Sequence, residues 1–424
     1  MFRNHDTSCS FAEHLDLKDP LAKYKTRFAF PDPNMIYLDG NSLGRETIAT
    51  ATRISQLSEE WSRDLIRGYN ANWWQAPGRV GEKIARLIGA GPGQVVVSDT
   101  VSVNLFKLAS AALGLNPART KIVTDTLNFP SDLYILQGLS NMLGNRHSIV
   151  RIESKDGEVT PDLVDLEHAI DDSTALVTLS HVTFKSGYLY DMDQITRIAH
   201  DRGALVLWDL SHSVGAVPIG LDACNVDLAI GCTYKYLNGG PGAPAFLYVR
   251  KELQEMLTSP IWGWWGQKAP FSISMDYEPA SGITRFLTGS QPILSLIAME
   301  NALDPLVEAG MIDIRKKSLL LSYYLISLAD EFLIPLGFIL ATPRESDRRG
   351  SHVSLRHPDG YRINKALIEE MNVIPDFREP DNLRLGLAPL YTSFGDIWNG
   401  IDRIRLMVEE KKFEKYSDQR LTVT

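Results

Sequence analysis

Through the middle of this chain, short β-branched runs alternate with helix-patterned stretches, and this alternation limits the possible folds more than any other feature. A strand, a helix and a returning strand form the crossover that a parallel sheet requires, so the pattern predicts an α/β fold. Strands are expected at 95–98, 121–124, 176–180, 204–208, 227–231 and 245–249, and helices at 105–113, 131–143 and 192–202. Beyond about Asn301 the texture changes to a long helix, expected over 303–332, and then to mixed strand and helix as far as Met407. The first forty residues hold an extended run at 35–38 and the turn Asp39-Gly40-Asn41-Ser42, and are expected to pack on the later, smaller unit. The expected organisation is an N-terminal segment at 1–45, a large domain at 46–300 and a small α+β domain at 301–424. The tail from Glu409 reads as a solvated helix and a frayed end that carries no chemistry.

Composition excludes several classes. With 424 residues, 44% hydrophobic and 22% charged, the chain is globular and too long for one small core. Its formal net charge of −9 argues against nucleic acid, which asks for a basic face. Three cysteines, Cys9, Cys224 and Cys232, make neither a disulfide framework nor a spaced zinc site, so no metal is expected and a reducing cytoplasm fits. The first residues lack the apolar stretch of a signal peptide. No apolar run nears the roughly 20 residues that span a bilayer. The best candidate, 319–328, is broken by serines and tyrosines and reads as a buried helix, so no membrane is expected. Phosphate-loop, dinucleotide-binding, zinc-protease and C-x-x-C signatures are all absent.

Several expected strands run into residues with chemical capability: Ser102, Asp132, Ser180, Asp209, His212 and Lys235. Ligands of open α/β sheets sit beyond the carboxyl ends of the strands, so these side chains are expected on one rim. Asp209 ends an apolar run, with His212 three residues on. Lys235 follows a later strand and precedes the glycine-rich turn 238–242. A desolvated lysine can form a Schiff base, and an aspartate beyond a strand can keep a pyridine nitrogen protonated. Alone, each has a plainer reading, as a surface charge or a turn residue. Together, both after apolar strands, they describe a pyridoxal 5′-phosphate (PLP) site. Ser102 opens a helix whose first amides can hold a phosphate, a role compatible with simple capping. Phe129, in Phe129-Pro130-Ser131-Asp132, can stack on a ring or belong to the core. The indoles of Trp262-Gly263-Trp264-Trp265-Gly266 mark an interface or a ligand wall. Arg384 suits a substrate carboxylate, although a lone arginine is usually a surface residue.

These residues resemble the kynureninase family, fold-type I PLP enzymes of the aminotransferase class V superfamily. The resemblance is carried by Trp208-Asp209-Leu210-Ser211-His212 with Thr233-Tyr234-Lys235-Tyr236-Leu237-Asn238. It is narrowed by Gly40-Asn41-Ser42-Leu43-Gly44, Phe129-Pro130-Ser131-Asp132 and Gly263-Trp264-Trp265-Gly266, and Thr288-Gly289-Ser290-Gln291-Pro292 and Arg384-Leu385-Gly386 support it. It implies a mainly parallel seven-stranded sheet between helices, plus the smaller α+β domain. It implies Lys235 as the Schiff-base lysine and proton shuttle, Asp209 as the partner of the pyridine nitrogen and His212 as its neighbour. Phe129 becomes the stacking ring, Val101 and Ser102 lie on the phosphate side with Pro130 and Ser131 nearby, and Asp132 and Ser180 lie beside the ring. Tyr234 becomes a phosphate ligand and an acid or base. Trp264 and Ser290 become phosphate contacts supplied by a partner subunit, hence a homodimer with shared sites. Arg384 becomes the carboxylate clamp, with Ser42 and Trp265 in the substrate pocket. Trp265 stands where vertebrate members carry phenylalanine, and no histidine falls within 68–74. The implied reaction is hydrolysis of L-kynurenine, in preference to 3-hydroxykynurenine, to anthranilate and L-alanine in tryptophan catabolism. A desulfurase would need a thiolate on a late loop, an aminotransferase would give a keto acid, and a regulator would carry a DNA-reading domain.

Overall fold

The computed structural model of the chain describes residues 6–419. It opens with the helix Cys9–Leu17 and a two-residue strand, β1 (Ile36–Tyr37). The helices Ile48–Asp64 and Ala76–Ile88, for which no expectation was drawn from the sequence, lead into the central sheet. Its strands are β2 (Val95–Val97), β3 (Lys121–Asp125), β4 (Ser148–Ile152), β5 (Thr174–Ser180), β6 (Leu205–Asp209), β7 (Leu228–Gly231) and β8 (Phe246–Val249). Their order across the sheet is β2-β8-β7-β6-β5-β3-β4. Only β8 runs against its neighbours, so the sheet is mainly parallel with seven strands, as expected. β5 is buried at every position, as suits a strand covered on both faces. β4 escaped the sequence reading because it is an edge strand with only Ile152 fully buried.

Two helices deliver site residues to the carboxyl-end rim. Val101–Leu115 is capped by Thr100, whose hydroxyl accepts from Val103 N, so its first amides face the sheet end. Pro130–Met142 starts with proline at its first position and carries Asp132 in its first turn.

The long helix expected over 303–332 is broken. Asp304–Ala309 stops at Gly310, whose φ of +77° suits glycine, and Met311–Leu328 begins anew. The helical run Met311–Leu336 has a mean hydropathy of 1.5 and is long and apolar enough to cross a membrane, contrary to the sequence expectation. Leu321, Leu325 and Leu328 on it are fully buried in a second core, so this helix packs inside the fold.

That second core is closed by β9 (Ile339–Leu340), β10 (His352–Arg356), β11 (Val373–Ile374), β12 (Asp376–Arg378) and β13 (Asn382–Gly386). Four of these form an antiparallel sheet in the order β12-β13-β10-β9, while β11 pairs in parallel with β1. The first residues divide between the cores: Ile36 and Leu38 join the second, whereas Leu21, Tyr24 and Phe28 join the first. The tail is not simply solvated. The helix Phe394–Glu409 ends where the sequence reading began the tail, and Phe413 beyond it is buried. Residues 420–424 of that tail lie outside the described residues.

Candidate active site

At the carboxyl ends of β3, β6 and β7 lies a cavity of about 700 Å³. Lys235, Tyr234, His212 and Asp209 line it, as do Asp132, Ser131 and Phe129. Val101, Ser102, Ser42 and Arg384 complete the residues expected there. Asp209 ends β6 and is buried, and its Oδ1 accepts from Ser211 N (2.9 Å) and Ser211 Oγ (2.6 Å). Both bonds fall on one oxygen, which leaves Oδ2 for a bound group. Burial pushes the Asp209 carboxyl up, and the Ser211 bonds and Lys235 pull it back. Asp132 is pushed well above the usual carboxylate range by burial and by the nearby Asp209 charge.

Lys235 Nζ lies 2.9 Å from His212 Nε2. Burial, then Lys235, hold the His212 imidazole well below its ordinary range, so it is neutral and its Nε2 can accept from Lys235 Nζ. Its Nδ1 is buried without a partner. The Tyr234 hydroxyl is raised by the Cys232 side chain, by burial and by Asp209, so it stays protonated. Gly44 N donates to Tyr234 O at 2.8 Å, and a Cβ on Gly44 would meet Lys235 O at 2.3 Å, so the N-terminal turn seats the lysine loop only as glycine.

Ser102 Oγ and Ser131 Oγ are 3.1 Å apart across the start of two helices. A phosphate fits there, on hydroxyls and helix N-terminal amides. A flat cationic ring fits between it and Asp209, and Phe129, 44% exposed and edge-on to Phe184 at 5.3 Å, is free to stack on it. The open Asp209 Oδ2 suits the same occupant. The donor set therefore fits pyridoxal phosphate.

Arg384 is 1% exposed. Its Nε donates to Asp376 Oδ2 (2.8 Å) and its Nη2 to the same oxygen and to Ser42 Oγ (3.1 Å). Nη1 donates to Phe184 O. The Asn41 amide, oriented by its network, accepts from Nε and Nη2 at 3.1 Å.

Some expected residues lie elsewhere. Ser180 is buried beside Asp209 without lining the cavity, and its N–H donates to Asn128 Oδ1. Pro130 and Ser290 are exposed and do not line the cavity. Trp264 is 41% exposed, and Trp265 is buried and stacked on Trp74 at 4.4 Å and 6°. Several residues at the site carried no sequence signal. Arg378 and Phe184 line the cavity. Asp99, held at φ +51°, also lines it and receives Lys107 Nζ at 2.7 Å. Lys107 is fully buried and donates as well to Phe286 O (2.8 Å), while Thr288 Oγ1 donates to Asp99 Oδ1 (3.2 Å). A strut thus joins the phosphate-side turn to the loop that carries Ser290. The run Ser98-Asp99-Thr100 ahead of a helix was the one available clue.

Among solved structures, the chain is similar to an apo cysteine desulfurase from Thermococcus onnurineus NA1, with a TM-score of 0.78 and 20% identity over 94% of this chain and 98% of that one. It is also similar to a variant of C-DES with glycine covalently linked to its PLP cofactor, with a TM-score of 0.76 and 17% identity over 88% and 97%. Fold and site together define a pyridoxal-phosphate enzyme of fold type I. Residues 57–233 match the DegT/DnrJ/EryC1/StrS aminotransferase family and residues 314–404 the kynureninase C-terminal domain. A kynureninase of Pseudomonas fluorescens is 44% identical over 94% of each chain, and one of Burkholderia pseudomallei is 45% identical over 92% of this chain and 93% of its own. The chain belongs to the kynureninase family.

Proposed function

We propose that this chain hydrolyses the Cβ–Cγ bond of L-kynurenine to give anthranilate and L-alanine, as a step of tryptophan catabolism. The observation that carries the reading is the placing of Lys235 Nζ in a cavity with buried Asp209, in a chain aligned with kynureninases over nearly its whole length. Bound pyridoxal phosphate supplies an electron sink for charge that develops at the substrate's α-carbon. Asp209 Oδ2 would hold the proton of the ring nitrogen. Ser102, Ser131 and the amides after Thr100 would grip the phosphate. Lys235 Nζ takes the α-proton and returns it, oriented by its bond to the neutral His212. A water oxygen ends in the carboxylate of anthranilate, and the β-carbon gains a proton to become the methyl of alanine. The Tyr234 hydroxyl, kept protonated, is the donor for that last proton. A positioned acid or base of this kind contributes about 10²–10⁴-fold.

Two further roles complete the reading. Arg384 and Ser42 face the α-carboxylate. Trp264 and Ser290 lie outside the cavity of their own chain and serve the partner's site in a homodimer. Exposed Trp61, Leu65, Ile66 and Leu294, beside the loop that carries Ser290, support such an interface. Cytoplasmic residence suits three free cysteines. A desulfurase-like reaction lacks support here, because no cysteine lines the cavity among the described residues.

The test mixes the protein and PLP with L-kynurenine, with 3-hydroxykynurenine run alongside, and follows anthranilate fluorescence and alanine. Equimolar products with faster turnover of L-kynurenine are expected. A protein that binds PLP but yields a keto acid or no product overturns the reading.

A further inference from the structure

We propose that Arg378, on β12, receives the substrate's α-carboxylate together with Arg384 and sets the preference for a carboxylate substrate. This rests on the reading of an α-amino acid substrate given above. Arg384 was the expected clamp, yet its donors are engaged within the protein: Nε and Nη2 on Asp376, Nη2 also on Ser42, and Nη1 on Phe184 O. It is also almost completely buried. A substrate carboxylate would have to compete with Asp376 for it.

Arg378 stands two residues after Asp376, on the same face of β12, and lines the same cavity as Lys235. Its side chain keeps 34% of its exposure. Nη2 reaches Asp376 Oδ2 at only 3.2 Å and Nη1 donates to Phe377 O at 3.2 Å. Nε–H is buried and has no partner. A buried donor without an acceptor is unfavourable, and the side chain keeps enough exposure for the guanidinium to turn that donor toward a carboxylate in the cavity.

Charge points the same way. Two guanidinium groups converge on one carboxyl group, Asp376. The other acid of the cluster, Asp39, is pushed up to about 7 by burial and by Asp376, and its Oδ1 has no partner. The cluster is thus positive enough to take one more anion, and the free edge belongs to Arg378.

The experiment compares wild type, R378Q and R378K with PLP bound. It measures kcat and KM for L-kynurenine and for its α-carboxamide, and follows cofactor absorbance during titration with L-alanine and with alaninamide. R378Q is expected to raise KM for the acid about 10- to 100-fold with a smaller change in kcat, and to leave the amide unchanged. R378K is expected to recover part of the loss, and it serves as the test variant if R378Q does not fold. An unchanged KM for the acid, or equal losses for acid and amide, overturns the proposal. The alanine titration decides the role of Arg378 even if kynurenine is not cleaved, an outcome that overturns the activity alone.

Discussion

The buried Lys107–Asp99 pair makes an asymmetric prediction. Lys107 has no exposed side-chain surface, whereas Asp99 keeps 22%. Burial pulls the Lys107 amine down even against Asp99. On Asp99 burial acts upward, but Lys107, Ser98 and Thr288 outweigh it and the carboxyl is lowered. Removing one partner of a buried pair costs about 3–5 kcal/mol, with the larger figure for a charge that cannot reach water. K107M leaves a carboxylate with some solvent and two hydroxyl donors, at about 3 kcal/mol. D99N strands an ammonium in the core, at about 5 kcal/mol. At about 2–4 °C per kcal/mol, the expected losses in melting temperature are roughly 6–12 °C and 10–20 °C. The double variant is expected to be less damaged than D99N alone. In D99N the folded pKa of Lys107 falls further below its unfolded value of about 10.4. In that window the unfolded chain binds more protons, so D99N gains stability as pH rises toward 10.4, more steeply than wild type. Thermal unfolding of the four proteins at pH 7 and pH 9.5 measures this. A D99N no less stable than K107M, or one whose deficit widens at high pH, refutes the argument.

Other outcomes follow from the same geometry. K235A should retain its fold and lose turnover by at least about 10²-fold in steady-state assays. G44A should destabilise the protein by about 1–3 kcal/mol in denaturant melts, because its Cβ falls within 2.3 Å of Lys235 O. As pH rises through about 7, Asp39 ionises beside Asp376, Arg378 and Arg384 and neutralises part of the anion site, so KM for L-kynurenine should rise, and D39N should flatten that pH profile. Mixing inactive K235A with W264A should restore activity, since one site of each heterodimer then holds both residues. If the mixture stays inactive, Trp264 does not act across subunits.

The rim of the large sheet was legible because its signals are local. Apolar runs ending at Asp209 and just before Lys235 announce strands and their chemistry in the same few residues. The rest depends on contacts distant in sequence. Nothing near Arg384 shows that Asp376 occupies it, since the two meet only when β12 and β13 pair. Lys107 sits in an apolar helix and looks like an error until Asp99 and Phe286 O are seen beside it. The break at Gly310 had a local signal in the glycine itself, overridden by the helical pattern on either side. Trp265, expected in the substrate pocket, packs on Trp74, which comes from a turn with no clear period and so gave no sequence signal for the pairing.

The pairing of β1 with β11 also bears on when the molecule becomes complete. Ser42 meets Asp376, its partner 334 positions away in sequence, and Leu38 N meets Ile374 O at 2.9 Å. On a ribosome residues 38–42 must wait for residues 374–376 before they can make these contacts. Contacts of such span close late, after the large sheet has had time to form from its neighbouring strands. The lysine and phosphate side of the cavity is thus assembled early and the carboxylate side last. Until then Ile36 and Leu38 are apolar side chains without a core.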